Sequence, residues 1–183
     1  MEVAERAVSS LDLPARFNDF LINDWGIEQL HPPQAEAIPS ILKGDNTLVA
    51  IPTASGKSLL AYMGMVKRIS EGHARSKAIY IVPLKALAME KYEDLSAVAG
   101  AMGWTVGLGI GDATAEAKNI DDCNILVCTS EKLDSLLRHR SELVSDVCCV
   151  VADEFHLMND GTRGPTLEIN LTRLRHIKPD AQI

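Results

Sequence analysis

The chain has 183 residues, of which 46% are hydrophobic, 23% are charged and 4% are aromatic. This length suits one domain with a sizeable core, and the low aromatic content implies an aliphatic core, as in a sheet covered by helices on both faces. The formal net charge of -7 argues against a domain that grips nucleic acid tightly through a basic face of its own.

The sequence has no pattern typical of a secreted, zinc-binding or membrane protein. The N-terminus lacks the basic-then-apolar pattern of a signal peptide, and the apolar runs are shorter than a membrane span. The four cysteines lie in or beside apolar runs and form no Cys-x-x-Cys pair; they are Cys123, Cys128, Cys148 and Cys149. We therefore expect buried free thiols in a soluble, cytoplasmic protein.

Helices and strands alternate along the chain. Two helices are predicted first, over residues 14–25 and from Pro33 to the residue before Gly44, with a kink or an early break at Pro39. The remaining predicted elements are strand 47–51, helix 57–69, strand 78–82, helix 84–102, strand 105–110, strand 124–128, helix 130–140, strand 147–152, helix 165–177 and the opening of a further strand at 180–183. This alternation indicates βαβ units, and hence an α/β fold with a parallel sheet and helices on both faces, in a domain that spans 1–183.

The strongest chemical signal is the loop that follows the predicted strand 47–51, Pro52-Thr53-Ala54-Ser55-Gly56-Lys57-Ser58. A strand, a loop of this composition and a helix together predict a phosphate-binding loop, because free N–H groups and the helix dipole attract anionic oxygens. Lys57 would meet the β and γ phosphates, and the Ser58 hydroxyl would ligate magnesium. Ile51 stands where the standard pattern has glycine, and the alternative is a Ser/Thr-rich helix start with a solvated lysine.

A second signal, Asp153-Glu154-Phe155-His156, follows the predicted strand 147–152. Ligands of open parallel sheets bind beyond the carboxyl ends of the strands, so this run should lie beside the phosphate loop. Asp153 could hold magnesium, directly or through water, and Glu154 could orient and deprotonate the attacking water. An acidic turn after a core strand is the alternative, but the pairing with the phosphate loop favours nucleotide hydrolysis.

Together, the loop and the acidic run resemble motifs I and II of the superfamily-two DExH-box helicases. The segment from Gly26 to Ala37 resembles the Q motif of that family, which implies that Gln34 reads the adenine edge and favours ATP. Two further runs resemble motifs Ia and Ib, which implies contacts with a nucleic-acid strand from Pro83, Leu84, Lys85, Thr129 and Ser130. Seen alone, Gln34 is a surface glutamine and each of the two runs is a helix start with a good cap.

One branch of the family is indicated by Arg163-Gly164-Pro165-Thr166-Leu167-Glu168 together with Leu30-x-Pro32-Pro33-Gln34. These runs are similar to the archaeal Hjm-type DNA repair helicases, relatives of the helicase half of polymerase theta, and the resemblance covers about 13–183. It implies a RecA-like P-loop NTPase domain that uses ATP and Mg²⁺, with Lys57, Asp153 and Glu154 in catalysis and His156 coupling hydrolysis to movement. The implied parent protein is an ATP-dependent 3′-to-5′ DNA helicase that acts on single-stranded or forked DNA in DNA repair and stalled-fork processing.

In that family, a Ser-Ala-Thr motif and a second RecA-like domain with arginine fingers follow the position of Ile183. We therefore expect the chain to be the first RecA-like domain, with Q-motif helices at about 14–43, and to act as a monomer. Because an arginine finger is worth roughly 10³–10⁵ in rate, the chain alone should bind nucleotide, hydrolyse it hardly at all and not unwind DNA.

Three alternatives remain. An RNA-directed DExH helicase would use the same residues. A P-loop kinase needs an arginine-rich lid, which the sequence lacks. A non-catalytic, nucleotide-gated binding module would keep Lys57 without needing Glu154.

Overall fold

The structure is a computed structural model and describes residues 5–52, 55–111, 117–118, 120–139 and 142–183, with 117, 118 and 142 described by their backbone alone. In chain order its elements are β1 (Arg6–Ala7), α1 (Ala15–Asn23), β2 (Gln29–Leu30), α2 (Pro32–Lys43), α3 (Lys57–Glu71), β3 (Lys77–Val82), α4 (Lys85–Met102), β4 (Val106–Gly109), β5 (Ala117–Lys118), β6 (Ile125–Thr129), α5 (Ser130–His139), α6 (Glu142–Ser145), β7 (Val147–Ala152) and α7 (Gly164–Ile177). Short 3-10 turns cover Val8–Ser10 and Phe155–Asn159.

Among the described residues, the main sheet has five strands in the order β5-β4-β6-β3-β7. The pairs β4–β6, β6–β3 and β3–β7 are parallel, and β5 pairs antiparallel with β4 at one edge. The predicted α/β fold with a parallel sheet is confirmed. The antiparallel edge strand and the small β1–β2 pair were not predicted, because two-residue strands carry no readable alternation.

Helices cover both faces of the sheet, as predicted, and β3 shows how its side chains divide between them. Ala78, Tyr80 and Val82 pack into a core cluster shared with α1, α2, α3 and α4. Ile79 and Ile81 point to the other face and pack into a cluster shared with α5 and α7. All six residues of β3 are buried, which is why the five residues after Lys77 read as a continuous apolar and aromatic run instead of an alternating one.

The predicted strand 47–51 is wrong: the structure describes all five of these residues and shows no strand there. Residues 182 and 183 lie between this segment and β7: Gln182 bridges Cys149 in parallel, and the Thr47 amide donates to the Ile183 carbonyl at 3.0 Å. Beyond them a cavity of about 510 Å³ separates residues 48 and 49 from β7. A strand needs a neighbour for its ladder of hydrogen bonds, and here that neighbour's place is a cavity, so Leu48 is 71% exposed.

Helix α2 continues through Pro39, so the predicted early break is also wrong. Pro39 is on the exposed side of the helix, where water can bond the carbonyl that the proline leaves without a donor. The buried Ala35, Ile38 and Ile41 hold the other side against the core.

All four cysteines are free thiols, as predicted, although Cys148 is only half-buried. Burial raises the pKa of Cys149 to about 12, so this thiol stays protonated at neutral pH. No helix in the described ranges is long and apolar enough to cross a bilayer.

Candidate nucleotide-binding site

The phosphate-loop sequence turns into α3 at a left-handed glycine. Gly56 has φ +73° and caps the helix, and Lys57 is the first helical residue, as predicted. The Ser55 amide donates to the Pro52 carbonyl at 3.3 Å. Thr53 and Ala54, which we also expect to bind nucleotide, lie outside the described residues. The start of α3 therefore has the form that a phosphate-binding helix N-terminus requires.

The Lys57 ammonium donates to the Ile51 carbonyl at 3.1 Å and so ties the two ends of the loop together. Ile51 packs partly against the core, and among the described non-glycine residues only Glu154 has a positive φ. The backbone at Ile51 therefore does not need glycine. The Lys57 ammonium has two further N–H groups, which a bound phosphate could accept from.

Gln34 is buried and joins α2 to the phosphate loop. Its Nε2 donates to the Gly56 carbonyl at 3.1 Å, and its Oε1 accepts from the His31 amide at 2.9 Å. Both ends of the side-chain amide are therefore occupied within the chain. The role of Gln34 toward adenine stays a prediction, and the structure adds a second function, which is to hold the loop at Gly56.

We expect Gly56→Ala to weaken nucleotide binding and to cost roughly 1–3 kcal/mol of stability. A Cβ at this position would lie 2.2 Å from Gln34 Nε2, in addition to the strain of a positive φ. Gly103 is a matched control, because its φ is +74° and a Cβ there meets nothing within 4 Å. Chemical denaturation of the two variants should show the larger loss for Gly56→Ala. Equal losses would mean that Gln34 moves aside at no cost.

Asp153 lies directly beyond β7, and three hydrogen bonds fix its position. Its amide donates to the Ile81 carbonyl at 2.9 Å. Its Oδ1 accepts from the Glu154 amide at 2.8 Å, and its Oδ2 accepts from the Tyr80 hydroxyl at 2.8 Å. Asp153 also lines the 510 Å³ cavity together with Lys57, so the acidic run lies beside the phosphate loop.

Two tyrosines of the core, Tyr62 and Tyr80, pack against each other near Asp153, and the sequence patterns did not point to either. Burial, and then the charge of Asp153, raise the pKa of Tyr80. Burial and Asp94 likewise raise the pKa of Tyr62, whose hydroxyl donates to Asp94 at 2.9 Å. Both phenols therefore remain protonated donors at neutral pH. The available signal for Tyr80 was a hydroxyl inside an otherwise apolar strand, since a buried hydroxyl requires a partner.

Glu154 has a left-handed backbone, with φ 51° and ψ 42°. Such a conformation is costly for a residue other than glycine and is found most often at functional sites. The Glu154 carboxylate approaches His156 Nδ1 at 3.2 Å, and the His156 side chain is 71% exposed. The strained turn thus aims Glu154 and His156 away from the core, on the side where a partner domain or ligand could reach them.

The donor set fits a magnesium–nucleotide complex. Ser58 offers a hydroxyl oxygen and Asp153 a carboxylate, both of which are hard oxygen ligands. Within the described ranges, no group of three or more His, Cys, Asp or Glu side chains could hold a metal by itself. Magnesium commonly takes one or two protein oxygens and completes its shell with phosphate and water, so these two residues would suffice.

The predicted nucleic-acid contacts divide into exposed and buried residues. Leu84 is 43% exposed and Lys85 is also exposed at the start of α4. Thr129 and Ser130 are buried, and Pro83 and Ser130 line a small cavity with Asp153 and Glu154. The structure therefore brings both runs to the edge of the sheet that carries Asp153, and their contact with nucleic acid stays a prediction.

Comparisons with known proteins agree with this arrangement. Residues 31–183 match the family described as DEAD/DEAH box helicase. The chain is 48% identical over 181 residues to a protein of Methanocella arvoryzae named ATP-dependent DNA helicase Hel308, which covers 96% of this chain and 24% of that protein. A protein of the same name from Thermococcus kodakarensis is 47% identical over 170 residues, which cover 89% of this chain and 14% of that protein. The chain thus spans about a quarter or less of the length of these relatives.

Among solved structures, the crystal structure of the DUF1998 helicase MrfA bound to DNA and AMPPNP is similar, with a TM-score of 0.81. The identity is 24%, and the alignment covers 100% of this chain and 26% of that chain. This likeness concerns the fold and confirms the predicted RecA-like architecture. Because the family match extends over most of its length, this chain belongs to the DEAD/DEAH box helicase family, as its resemblance to the DExH-box helicases predicted.

Proposed function

We propose that this chain is the ATP-binding, first RecA-like domain of an ATP-dependent DNA helicase that acts in DNA repair. The observation that carries the proposal is the cavity that Lys57 of the phosphate-loop helix lines together with Asp153 of the acidic run. The names of the archaeal relatives support DNA as the nucleic acid, and the DNA-bound MrfA structure offers a neighbour of the same fold.

In the proposed site, the start of α3 offers its free N–H groups to the phosphates. Lys57, which uses one N–H on the Ile51 carbonyl, donates another to a phosphate oxygen and so neutralises charge as the γ phosphoryl group leaves. Ser58 and Asp153 would hold Mg²⁺, which when bound neutralises charge on the phosphate oxygens. Glu154 orients a water for in-line attack and takes its proton.

The whole protein, as we propose it, needs more than this chain. A second RecA-like domain would supply arginine fingers, and His156, exposed beside Glu154, would contact that domain and couple hydrolysis to movement. Single-stranded or forked DNA would cross the edge of the sheet near Leu84 and Lys85. The whole protein would be a cytoplasmic monomer that translocates 3′ to 5′. The net charge of -7 fits a domain that shares its grip on DNA with other parts of a longer protein.

The test is a calorimetric titration of magnesium–ADP into the chain and into Lys57→Ala. We expect the wild type to bind and the variant to lose at least about tenfold in affinity, because an ion-pair hydrogen bond to phosphate is worth roughly 1.5–3 kcal/mol. Lys43→Ala is a control, since Lys43 is an exposed lysine at the far end of α2. Equal binding by the wild type and Lys57→Ala would remove the phosphate loop from the proposal.

A further inference from the structure

We propose that Tyr80 is a positioning residue that fixes the Asp153 carboxylate for magnesium. The inference rests on the proposed function, since it concerns how the chain presents its metal ligand. It follows from the place of Tyr80 in the sheet, from the contacts of its hydroxyl and from the packing of its ring.

Tyr80 is in the middle of β3, the strand between β6 and β7. Its register partners are Val127 on β6 and Val151 on β7, and it is 1% exposed. Asp153 is two residues beyond Val151, and its amide continues the β3–β7 ladder by bonding the Ile81 carbonyl. The backbones of Asp153 and Tyr80 are therefore held by the same β3–β7 hydrogen-bond ladder.

The hydroxyl of Tyr80 holds one oxygen of the carboxylate that would ligate magnesium. It donates to Asp153 Oδ2 at 2.8 Å. The other carboxylate oxygen, Oδ1, accepts from the Glu154 amide. Each carboxylate oxygen has two lone-pair sites, so both bonds leave room for a metal or for a metal-bound water. With one donor on each oxygen, the carboxylate has little freedom to rotate.

The ring of Tyr80 cannot easily change position. It packs against Tyr62 with ring centroids 6.0 Å apart and an interplanar angle of 50°, and Tyr62 packs in turn against Trp25 at 6.1 Å. The hydroxyl thus belongs to a rigid part of the core. A rigid hydrogen-bond partner of this kind orients a metal-ligating side chain.

The experiment measures fluorescent-ADP binding to the chain as Mg²⁺ is varied, and compares it with binding in EDTA. Mg²⁺ should enhance ADP binding, and in Tyr80→Phe we expect the Mg²⁺ concentration for half of this enhancement to rise roughly 10- to 100-fold. This is the usual effect of removing a hydrogen-bond partner of a metal ligand. Binding in EDTA should change less than about twofold, because the phosphate loop keeps its contacts. If the hydroxyl had only a structural role, its removal would change ADP affinity equally with Mg²⁺ and in EDTA, or would change neither.

Tyr62→Phe is the matched control, since it removes a neighbouring buried hydroxyl whose acceptor is Asp94 instead of Asp153. A weaker Mg²⁺ response in both variants to the same degree would therefore overturn the role of Tyr80 toward Asp153. A wild type whose ADP binding does not respond to Mg²⁺ would instead overturn the proposed function, and this inference with it. A wild-type response that Tyr80→Phe retains in full would overturn the inference alone.

A measurement on the wild type decides the question even if Tyr80→Phe does not fold. With an isotopic label at the tyrosine Cζ atoms, the Tyr80 resonance should shift when Mg²⁺ is added to the ADP complex, because its acceptor becomes a metal ligand. The Tyr92 resonance should not shift, since Tyr92 is on α4 and is not part of this network. A Tyr80 resonance that is unchanged by Mg²⁺ would contradict the proposal.

Discussion

Glu154→Gln is expected to slow ATP hydrolysis roughly 10²- to 10⁴-fold in the longer protein that we propose, while nucleotide binding is retained. The glutamine keeps the size of the side chain but loses the oxygen that takes the proton of the attacking water. Steady-state phosphate release in the presence of single-stranded DNA measures the rate, and calorimetry with magnesium–ADP measures the binding.

The local geometry explains why binding should survive this change. The Glu154 contact that orders Asp153 is made by its backbone amide, so the magnesium ligand keeps its hydrogen bond in the variant. The contact between the Glu154 carboxylate and His156 changes, but His156 is largely exposed and such a surface contact contributes at most about 1 kcal/mol. The φ of 51° is equally strained for glutamine and glutamate, so the turn should be unchanged.

Glu168→Gln is the control for the chemistry of the substitution, because it makes the same change at an exposed position on α7. It should hydrolyse ATP at the wild-type rate. If Glu154→Gln also kept the wild-type rate, Glu154 would not be the base. The result would then favour the alternative of a non-catalytic, nucleotide-gated binding module.

Much of this architecture was readable from the sequence, for a physical reason. Strands such as β3 and β7 are short apolar runs bounded by turns, and long helices such as α4 end at glycine, so local composition sets their limits. The start of α3 was likewise predictable, because Gly56 and Lys57 belong to a pattern whose chemistry is local. The helicase family itself came from a resemblance between motifs.

The parts that the sequence did not predict depend on contacts between distant residues. Gln34 meets Gly56 across 22 positions of the chain, and Tyr80 meets Asp153 across 73. No periodicity in either segment encodes such a meeting, since Gln34 alone looks like a surface glutamine and Tyr80 alone looks like a core residue of an apolar strand. The prediction of a strand at 47–51 was wrong for a related reason. The apolar composition of the segment is typical of a strand, but it cannot show that a cavity lies where the neighbouring strand would be.

Ile79→Ala should destabilise the chain by about 2–5 kcal/mol. Ile79 is fully buried on β3, between Leu126 of β6 and Val150 of β7, in the cluster that packs against α5 and α7. Removing its side chain in the middle of the sheet leaves a cavity that three strands must share, and a rigid sheet collapses poorly around it. Urea denaturation followed by circular dichroism measures the loss as a lower midpoint at an unchanged slope.

Leu48→Ala makes a comparable change in the segment where sequence and structure disagree. Because Leu48 is 71% exposed, we expect its truncation to change stability by no more than about 0.5 kcal/mol. The pair of variants therefore separates two pictures of segment 47–51. A small effect beside a large one for Ile79→Ala supports an unpaired segment at the edge of a cavity. Comparable losses would mean that Leu48 is packed in solution and that the strand read from the sequence forms after all, which would close the cavity next to Lys57.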